Sequence, residues 1–349
     1  MLLALALCWL LPTAATAAPR HGRPHPIYWG AWIGDQLTGT APPGDMSGVF
    51  AFERLVGKGL SLVGLAAPFA NCGVSPCSFV GFPGPDMENV RRYGAIPVLS
   101  WGSESTPWDP TDPSQPDFQL SDVIGGRYDS YIARFAEEAR AWGHPYFMRF
   151  NWEMNGNWFP WSETVNGNTA GESIAAWRHV HDIFRAVGAT NATWVWCPYA
   201  DAKKARLQNL RSIYPGSEYV DWTCMDGYNW GKTPVNPHPW KSFGEIFGPA
   251  YWRLTKKIAP GKPILVGEMA SSPYGGHKAL WIRNLLAKLP VEYPQIRGLV
   301  WFDGVDRGID WPIETSPTVT REFAKGIQRK LYLGNRYADL ATSPIPPQR

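Results

Sequence analysis

Eight short apolar runs, separated by segments of helical periodicity, constrain this chain more than any other feature. They span 25–34, 60–69, 95–102, 145–154, 192–199, 220–230, 263–270 and 296–302. Near-continuous apolar character suits strands of a parallel sheet buried on both faces. The clearest helix between them is predicted over 129–142. There Ile132, Phe135, Ala136 and Ala139 fall at helical spacing, and Gly143 then Pro145 stop the helix. A second is predicted over 172–187, opened by a Thr169-x-x-Glu172 capping box and ended at Gly188. Others are expected near 249–258, 278–289 and 320–330. Strand and helix alternating eight times predict an α/β fold, the (β/α)8 TIM barrel. The competing architecture is an open doubly wound sheet, but no GxGxxG follows the first strand.

The ends of the chain read differently. An apolar run over 2–11 is too short to span a membrane, and Ala15-Thr16-Ala17 fits a small-x-small cleavage site. Residues 1–18 are therefore expected to be a signal peptide, although no Lys or Arg precedes the run. One folded domain is expected over 19–337. Residues 338–349 hold three prolines and no periodicity, and are expected to form a frayed tail. No other segment is long and apolar enough to cross a membrane.

Cysteine usage agrees with export. Cys8 lies in the signal segment, leaving Cys72, Cys77, Cys197 and Cys224. An even remainder in an exported chain favours disulfides. Cys72 and Cys77 close a short loop, and Cys197 and Cys224 fall in consecutive predicted strands. These two pairs are the expected bridges. The competing zinc site lacks CxxC or paired-His spacing, so no metal and no cofactor is expected. A net charge of +3 with no basic stripe gives no electrostatic footprint for nucleic acid. The chain holds 19 Trp, more than either Tyr or Phe. A Trp surplus serves either as stacking platforms for flat ligands such as sugar rings or as core filling.

Two segments carry the candidate chemistry. Arg149-Phe-Asn-Trp-Glu153-Met-Asn-Gly-Asn-Trp-Phe-Pro-Trp161 begins in the fourth predicted strand and runs past its C-terminal end. Pro263-Ile-Leu-Val-Gly-Glu268-Met-Ala-Ser271 forms the seventh. Each puts a glutamate at the end of an apolar strand, where desolvation is costly unless the group is paired or catalytic. The C-terminal ends of barrel strands form the active-site face. Strands four and seven lie across the barrel from one another, so their carboxylates can meet over its mouth. Retaining glycosidases hold two carboxyl groups about 5–5.5 Å apart, one as nucleophile and one as acid/base. A structural salt bridge is the alternative for either glutamate, with Arg149 an available partner.

These residues resemble glycoside hydrolase family 26, a branch of the large clan of retaining enzymes with glutamates on strands four and seven. Glu153-Met-Asn-Gly-x-Trp158 is similar to the family's acid/base motif, and Gly267-Glu268 to its nucleophile strand. Asp226-Gly-Tyr228-Asn-Trp230 resembles the strand-six segment whose tyrosine supports the nucleophile, which gives Tyr228 that role. By the same resemblance Trp158 walls the cleavage point and Trp301 is the sugar platform at the end of strand eight. Trp29 and Trp101 end strands one and three and are expected to line further subsites. One departure stands out: where the family usually carries His before the acid/base, this chain has Trp152. An imidazole donates or accepts, whereas an indole only donates. Asn151 is the nearby polar side chain that would contact the sugar instead.

The resemblance implies a secreted retaining endo-hydrolase of a neutral polysaccharide, first of all an endo-β-1,4-mannanase. A β-1,3-1,4-glucanase or β-1,3-xylanase fits the same class. A non-catalytic carbohydrate-binding barrel has no need of both glutamates, and Trp-rich strand ends disfavour a structural wall protein. The expected partner is the polysaccharide alone, bound by an extracellular monomer that engages neither nucleic acid nor membrane. His179 and His181, two apart on one helix, face different sides and read as surface residues. No HExxH, GxSxG or P-loop is present. Asn191-Ala-Thr193 is a formal glycosylation sequon.

Overall fold

A computed structural model describes residues 24–348 apart from 74, 108, 110, 202–206 and 235–236. The signal segment lies outside the described residues. Eight parallel strands form the barrel: β1 (Ile27–Ile33), β2 (Leu62–Asn71), β3 (Ile96–Thr106), β4 (Tyr146–Phe150), β5 (Ala192–Trp196), β6 (Trp222–Asn229), β7 (Ile264–Ser271) and β8 (Ile296–Asp303). Each pairs with the next in chain order, and β8 and β2 both pair with β1, which closes the ring. Gly30 is where closure is tightest. A Cβ there would come within 1.9 Å of the Leu62 carbonyl oxygen.

Helices α1 (Ser47–Val56), α2 (Gly84–Tyr93), α3 (Asp129–Trp142), α4 (Glu172–Ala186), α5 (Phe243–Arg253), α6 (Lys278–Glu292) and α7 (Pro317–Ile327) flank the strands. The connection from β5 to β6 carries 3-10 turns at Leu207–Ile213 and Ser217–Tyr219 instead. Helix α3 has the predicted bounds and stops at Gly143, whose φ of 80° suits glycine. Helix α5 starts six residues before its predicted position. Ser242 and Glu245 make a reciprocal capping box there, and Pro249 sits inside the helix instead of opening it. At α4 only half of the expected box forms: Glu172 accepts from the Thr169 N–H at 2.6 Å, while Gly171 occupies the cap.

Strand alternation sorts the aromatic residues into two layers. Trp29, Trp101 and Trp301 point outward and are fully buried beneath the helices. Trp29 and Trp301 pack on Phe323 of α7, and Trp101 stacks on Phe135 of α3 at 4.1 Å. Inside the barrel, Phe147 meets Tyr28 and Trp222 edge to face, Tyr28 and Trp222 meet at a tilt, and the three rings fill its lower end.

The C-terminal segment corrects an expectation. It is not frayed; it seals the bottom of the barrel. Ile345 is buried, its N–H donates to Thr193 Oγ1, and its carbonyl accepts from Trp222 Nε1. Tyr28 Oη donates to the Pro346 carbonyl at 3.0 Å. Inward polar groups on the lower barrel need partners once buried, and the tail's backbone supplies them. The sequon residue Asn191 is likewise committed, its amide donating to the carbonyls of Ala139 and His144. His181 is no free surface group either: it packs against Trp194 and Tyr219.

Both expected disulfides are present, Cys72–Cys77 and Cys197–Cys224, each with Cα atoms 4.2 Å apart. The second joins the end of β5 to β6 inside the barrel.

Candidate active site

The barrel mouth opens into a cleft of about 430 Å³, lined by Trp32, Trp152, Glu153, Trp158, Phe159, Tyr199, Tyr228, Trp230, Glu268, Phe302 and Arg307 among others. Below its floor lies a charged layer. Arg149, inward on β4, donates to Ser100 Oγ and to Glu268 Oε1, both at 3.0 Å, and pairs with Asp226 through its other terminal nitrogen. Burial opposes the Arg149 charge, but Asp226 and Glu268 outweigh it and its pKa ends above the ordinary value. The guanidinium is therefore a fixed cation under Glu268. Gly267 leaves room for this layer. A Cβ there would lie 2.6 Å from Cys224 Sγ and 2.8 Å from Asp226 Oδ1.

Glu268 reaches the cleft from β7 with its side chain 18% exposed. Tyr228 Oη donates to its second oxygen at 2.7 Å. Burial, then the Glu268 charge, pushes the Tyr228 pKa well up, so the phenol stays a donor. Each carboxylate oxygen of Glu268 thus has its own donor.

Glu153 arrives by a different route. Strand β4 ends at Phe150, and the chain turns through Asn151 (φ 43°) and Glu153 (φ 53°), both left-handed. Non-glycine residues rarely adopt that region, and such strain gathers at functional sites. The turn is held by the Glu153 N–H, which donates to the Cys197 carbonyl at 2.7 Å, and by Asn151, whose N–H donates to the Trp101 carbonyl. Trp158 Nε1 donates to Glu153 Oε2 at 2.6 Å. Burial first, and then the Glu268 charge, pushes the Glu153 carboxyl up to about 8, against the lowering pull of Trp158, Arg149 and Arg307.

Carboxylate oxygens of Glu153, Glu268 and Asp226 lie within 4.8 Å of one another. Inverting enzymes hold their pair about 6.5–9.5 Å apart to admit a water, and retaining enzymes about 5–5.5 Å. The observed spacing belongs to the short class. One carboxyl held by two donors, one of them a cation, beside one whose proton is held more tightly by burial is the pairing that acid/base and nucleophilic work needs.

Several expected site residues stand elsewhere. Trp301 is not a platform. Its register partners are Met269 of β7 and Ala31 of β1, all on the outer face, one residue out of phase with Glu268. Phe302 lines the cleft in its place, stacked on Trp32 with centroids 4.8 Å apart and planes 1° from parallel. Trp29 and Trp101 are excluded by the same parity; Trp32 and Ser100 are the neighbours on those strands that turn inward and line the cleft. Asp226 is fully buried on Arg149 and takes no part in lining the cleft. Asn151 spends its amide on Ser103, accepting from the backbone N–H and donating to the hydroxyl. Trp152, Trp158 and Trp230 do line the cleft. Trp152 packs against Phe159 and Trp161, with the Arg149 guanidinium 5.8 Å from its ring.

Comparisons with known proteins agree with this geometry. The profile described as glycosyl hydrolase family 26 matches residues 121–262. Endoglucanase H of Acetivibrio thermocellus is 33% identical over 302 residues, covering 85% of this chain and 30% of that protein. A mannan endo-1,4-beta-mannosidase of Bacillus subtilis is 30% identical over 116 residues, 31% of either chain. The chain thus spans about a third of the length of these curated relatives. Among solved structures, a GH26 beta-mannanase from Bacteroides ovatus superposes with a TM-score of 0.60 at 17% identity, covering 89% of this chain and 91% of that one. A modular endo-beta-1,4-mannanase from Cellulomonas fimi reaches 0.65 at 16% identity, covering 93% and 75%. These likenesses carry the barrel fold alone, while the profile and the relatives carry the family: the chain belongs to glycosyl hydrolase family 26.

Proposed function

We propose that this chain is a retaining endo-glycoside hydrolase of a neutral β-linked polysaccharide, with Glu268 as nucleophile and Glu153 as acid/base. The observation that carries the proposal is the close Glu153–Glu268 pair, with Arg149 and Tyr228 on one carboxyl and Trp158 on the other. Glu268 attacks the anomeric carbon. Glu153, protonated at neutral pH, gives its proton to the departing sugar oxygen. The covalent bond then neutralises Glu268 and removes one of the influences that raise the Glu153 pKa, so Glu153, its proton gone with the leaving group, stays ionised and takes a proton from water in the second step. Trp32, Trp158, Trp230 and Phe302 offer the sugar ring apolar faces.

The first substrate reading is β-1,4-mannan, supported by relatives and fold neighbours that are named for it. A second reading, β-glucan, is favoured by a specific feature. Trp152 stands where the family carries an imidazole next to the cleavage point, and the relative matching 85% of the chain is named an endoglucanase. The reading assumes an exported protein, which the two disulfides support. Among the described residues no helix is long and apolar enough to cross a membrane.

Reducing-sugar release across mannan, galactomannan, lichenan and β-1,3-xylan tests the substrate, and NMR of the first-formed anomer tests the stereochemistry. Cleavage with a β-anomer first is expected. An α-anomer first, or no release from any of the four, would overturn the proposal.

A further inference from the structure

The segment after β8 builds one wall of the cleft. It leaves Asp303, turns through a hairpin of two short strands, Val305–Asp306 and Ile309–Asp310, and returns through Trp311 to Ile313. Arg307, at the tip with φ 48°, lines the cleft and lies over the Trp230 ring. Trp311, at the foot, is buried and packs on Tyr228 at 5.0 Å and on Trp230 at 5.1 Å. Tyr228 is the donor to Glu268. The foot of the hairpin therefore backs the nucleophile's tyrosine.

What holds that foot is a lysine from a different element. Lys278 opens α6, is 3% exposed, and sends its ammonium to three consecutive carbonyls: Asp310 at 3.0 Å, Trp311 at 2.9 Å and Pro312 at 2.6 Å. All three of its donors are used. Its charge faces Asp303, Asp310 and Glu314, and its ammonium lies 5.9 Å from the Trp301 ring. Asp303 secures the same foot from the other side by accepting the Ile313 N–H at 2.8 Å. Surface loops do not bury a lysine on their own backbone; a buried ammonium is costly and is retained where its bonds fix something.

We infer that Lys278 is a positioning residue for the proposed reaction, clamping the 303–313 hairpin so that Trp311 holds Tyr228 against Glu268 and Arg307 stays over the cleft. The inference rests on the proposed hydrolase activity, and one arm of its test does not. Lys278→Met removes the donors and keeps most of the side-chain volume. Amide hydrogen exchange across 304–313 should then quicken, with or without any substrate in hand. Unchanged exchange overturns the clamp. In the kinetic arm, Lys278→Met should lower kcat about tenfold and raise KM severalfold, and Lys278→Arg should recover most of both. The distinguishing readout is coupling. In kcat, Tyr228→Phe added to Lys278→Met should cost little beyond Tyr228→Phe alone, because there both act on one hydrogen bond, while the KM rise through Arg307 persists. Losses that multiply, or wild-type kinetics in Lys278→Met, overturn the inference. If Lys278→Met does not fold, Trp311→Phe leaves the clamp and weakens only the link. A lower kcat with unaltered hairpin exchange is then expected, and wild-type kcat overturns the inference. Wild-type protein without turnover on any glycan would instead count against the functional proposal and leave the exchange result to decide the clamp.

Discussion

Tyr228 and Arg149 grip opposite oxygens of Glu268: the phenol donates to Oε2 at 2.7 Å and the guanidinium to Oε1 at 3.0 Å. The two donors are not equivalent. Arg149 is locked below by Asp226 and Ser100, whereas Tyr228 stands in the cleft and is backed by aromatic packing. Removing the Tyr228 hydroxyl should leave the fold and weaken control of the nucleophile. A hydrogen bond to a charged group contributes about 1.5–3 kcal/mol, so Tyr228→Phe should lower kcat roughly 10- to 100-fold with little change in Tm. Steady-state kinetics beside a melting curve checks both. Unaltered kcat would remove Tyr228 from the working site.

Glu153 carries a pH signature. Its pKa is pushed up to about 8, first by burial and then by the Glu268 charge. Turnover on polysaccharide should therefore fall as pH rises through about 8, when the acid is lost. Stability follows by linkage. A carboxyl raised in the fold binds its proton more tightly there than in the unfolded chain, so this group's contribution is full below the unfolded value of 4.5. It is lost progressively as pH climbs to about 8. Glu153→Gln carries no such charge. Its Tm should match wild type near pH 4 and exceed it at pH 9. A Tm difference that does not vary with pH would contradict this.

Trp301 and Trp158 should fail in opposite ways. Trp301 is enclosed between β8 and the helices, so Trp301→Ala should cost about 3–5 kcal/mol of stability, seen as a lower denaturation midpoint. Trp158 lies on Glu153 at the cleft surface, so Trp158→Ala should keep the fold and lose activity on polymer. If instead Trp301→Ala were stable and specifically unable to bind polysaccharide, the outward parity of that ring would be wrong.

The parity error shows how far the sequence could be read. Strand order, the two glutamates and both disulfides follow from apolar runs and spacing, because each is a local pattern. Which face of a strand looks inward does not follow when adjacent residues are both aromatic, as in Trp301-Phe302 and Trp29 to Trp32. Register with β7 decides it: Met269 pairs with Trp301, so the residue beside Glu268 and not Glu268 itself shares a face with that indole. On β3 the same logic was available in principle, since Arg149 pairs with Ser100 and turns Trp101 outward. Lys278 left no trace, because its partners are backbone carbonyls more than thirty residues away. Nor did the tail, whose partners on β1, β5 and β6 lie 123 to 318 residues earlier in the chain.

Deleting residues 341–349 should therefore destabilise the protein without touching the cleft. Trp222 Nε1 and Tyr28 Oη would lose their carbonyl partners, and the lower barrel would open to water. A loss of about 2–3 kcal/mol corresponds to a Tm lower by roughly 3–5 °C for a domain of this size. Melting curves of the truncated and whole proteins measure it, and equal Tm values would show the seal to be dispensable.

The two glutamates should part company when each is removed. Glu268→Ala should abolish turnover on every glycan, since Glu153 has no second carboxylate across the anomeric carbon to form the covalent intermediate. Asp226 does not substitute, because it is fully buried and committed to Arg149. Glu153→Ala should be selective. Its acid matters when the leaving group is a sugar hydroxyl and matters little when it is a nitrophenolate, which departs without a proton. On an aryl glycoside the first step should persist and the second should slow for want of a base. A burst of phenolate followed by slow turnover is then expected, and azide, which needs no deprotonation, should restore the rate and yield a β-glycosyl azide. An α-azide from Glu153→Ala would mean that azide attacked the substrate and not a glycosyl-enzyme. Residual full activity in Glu268→Ala would place the nucleophile elsewhere, and the short separation of the two carboxyls would then need another explanation.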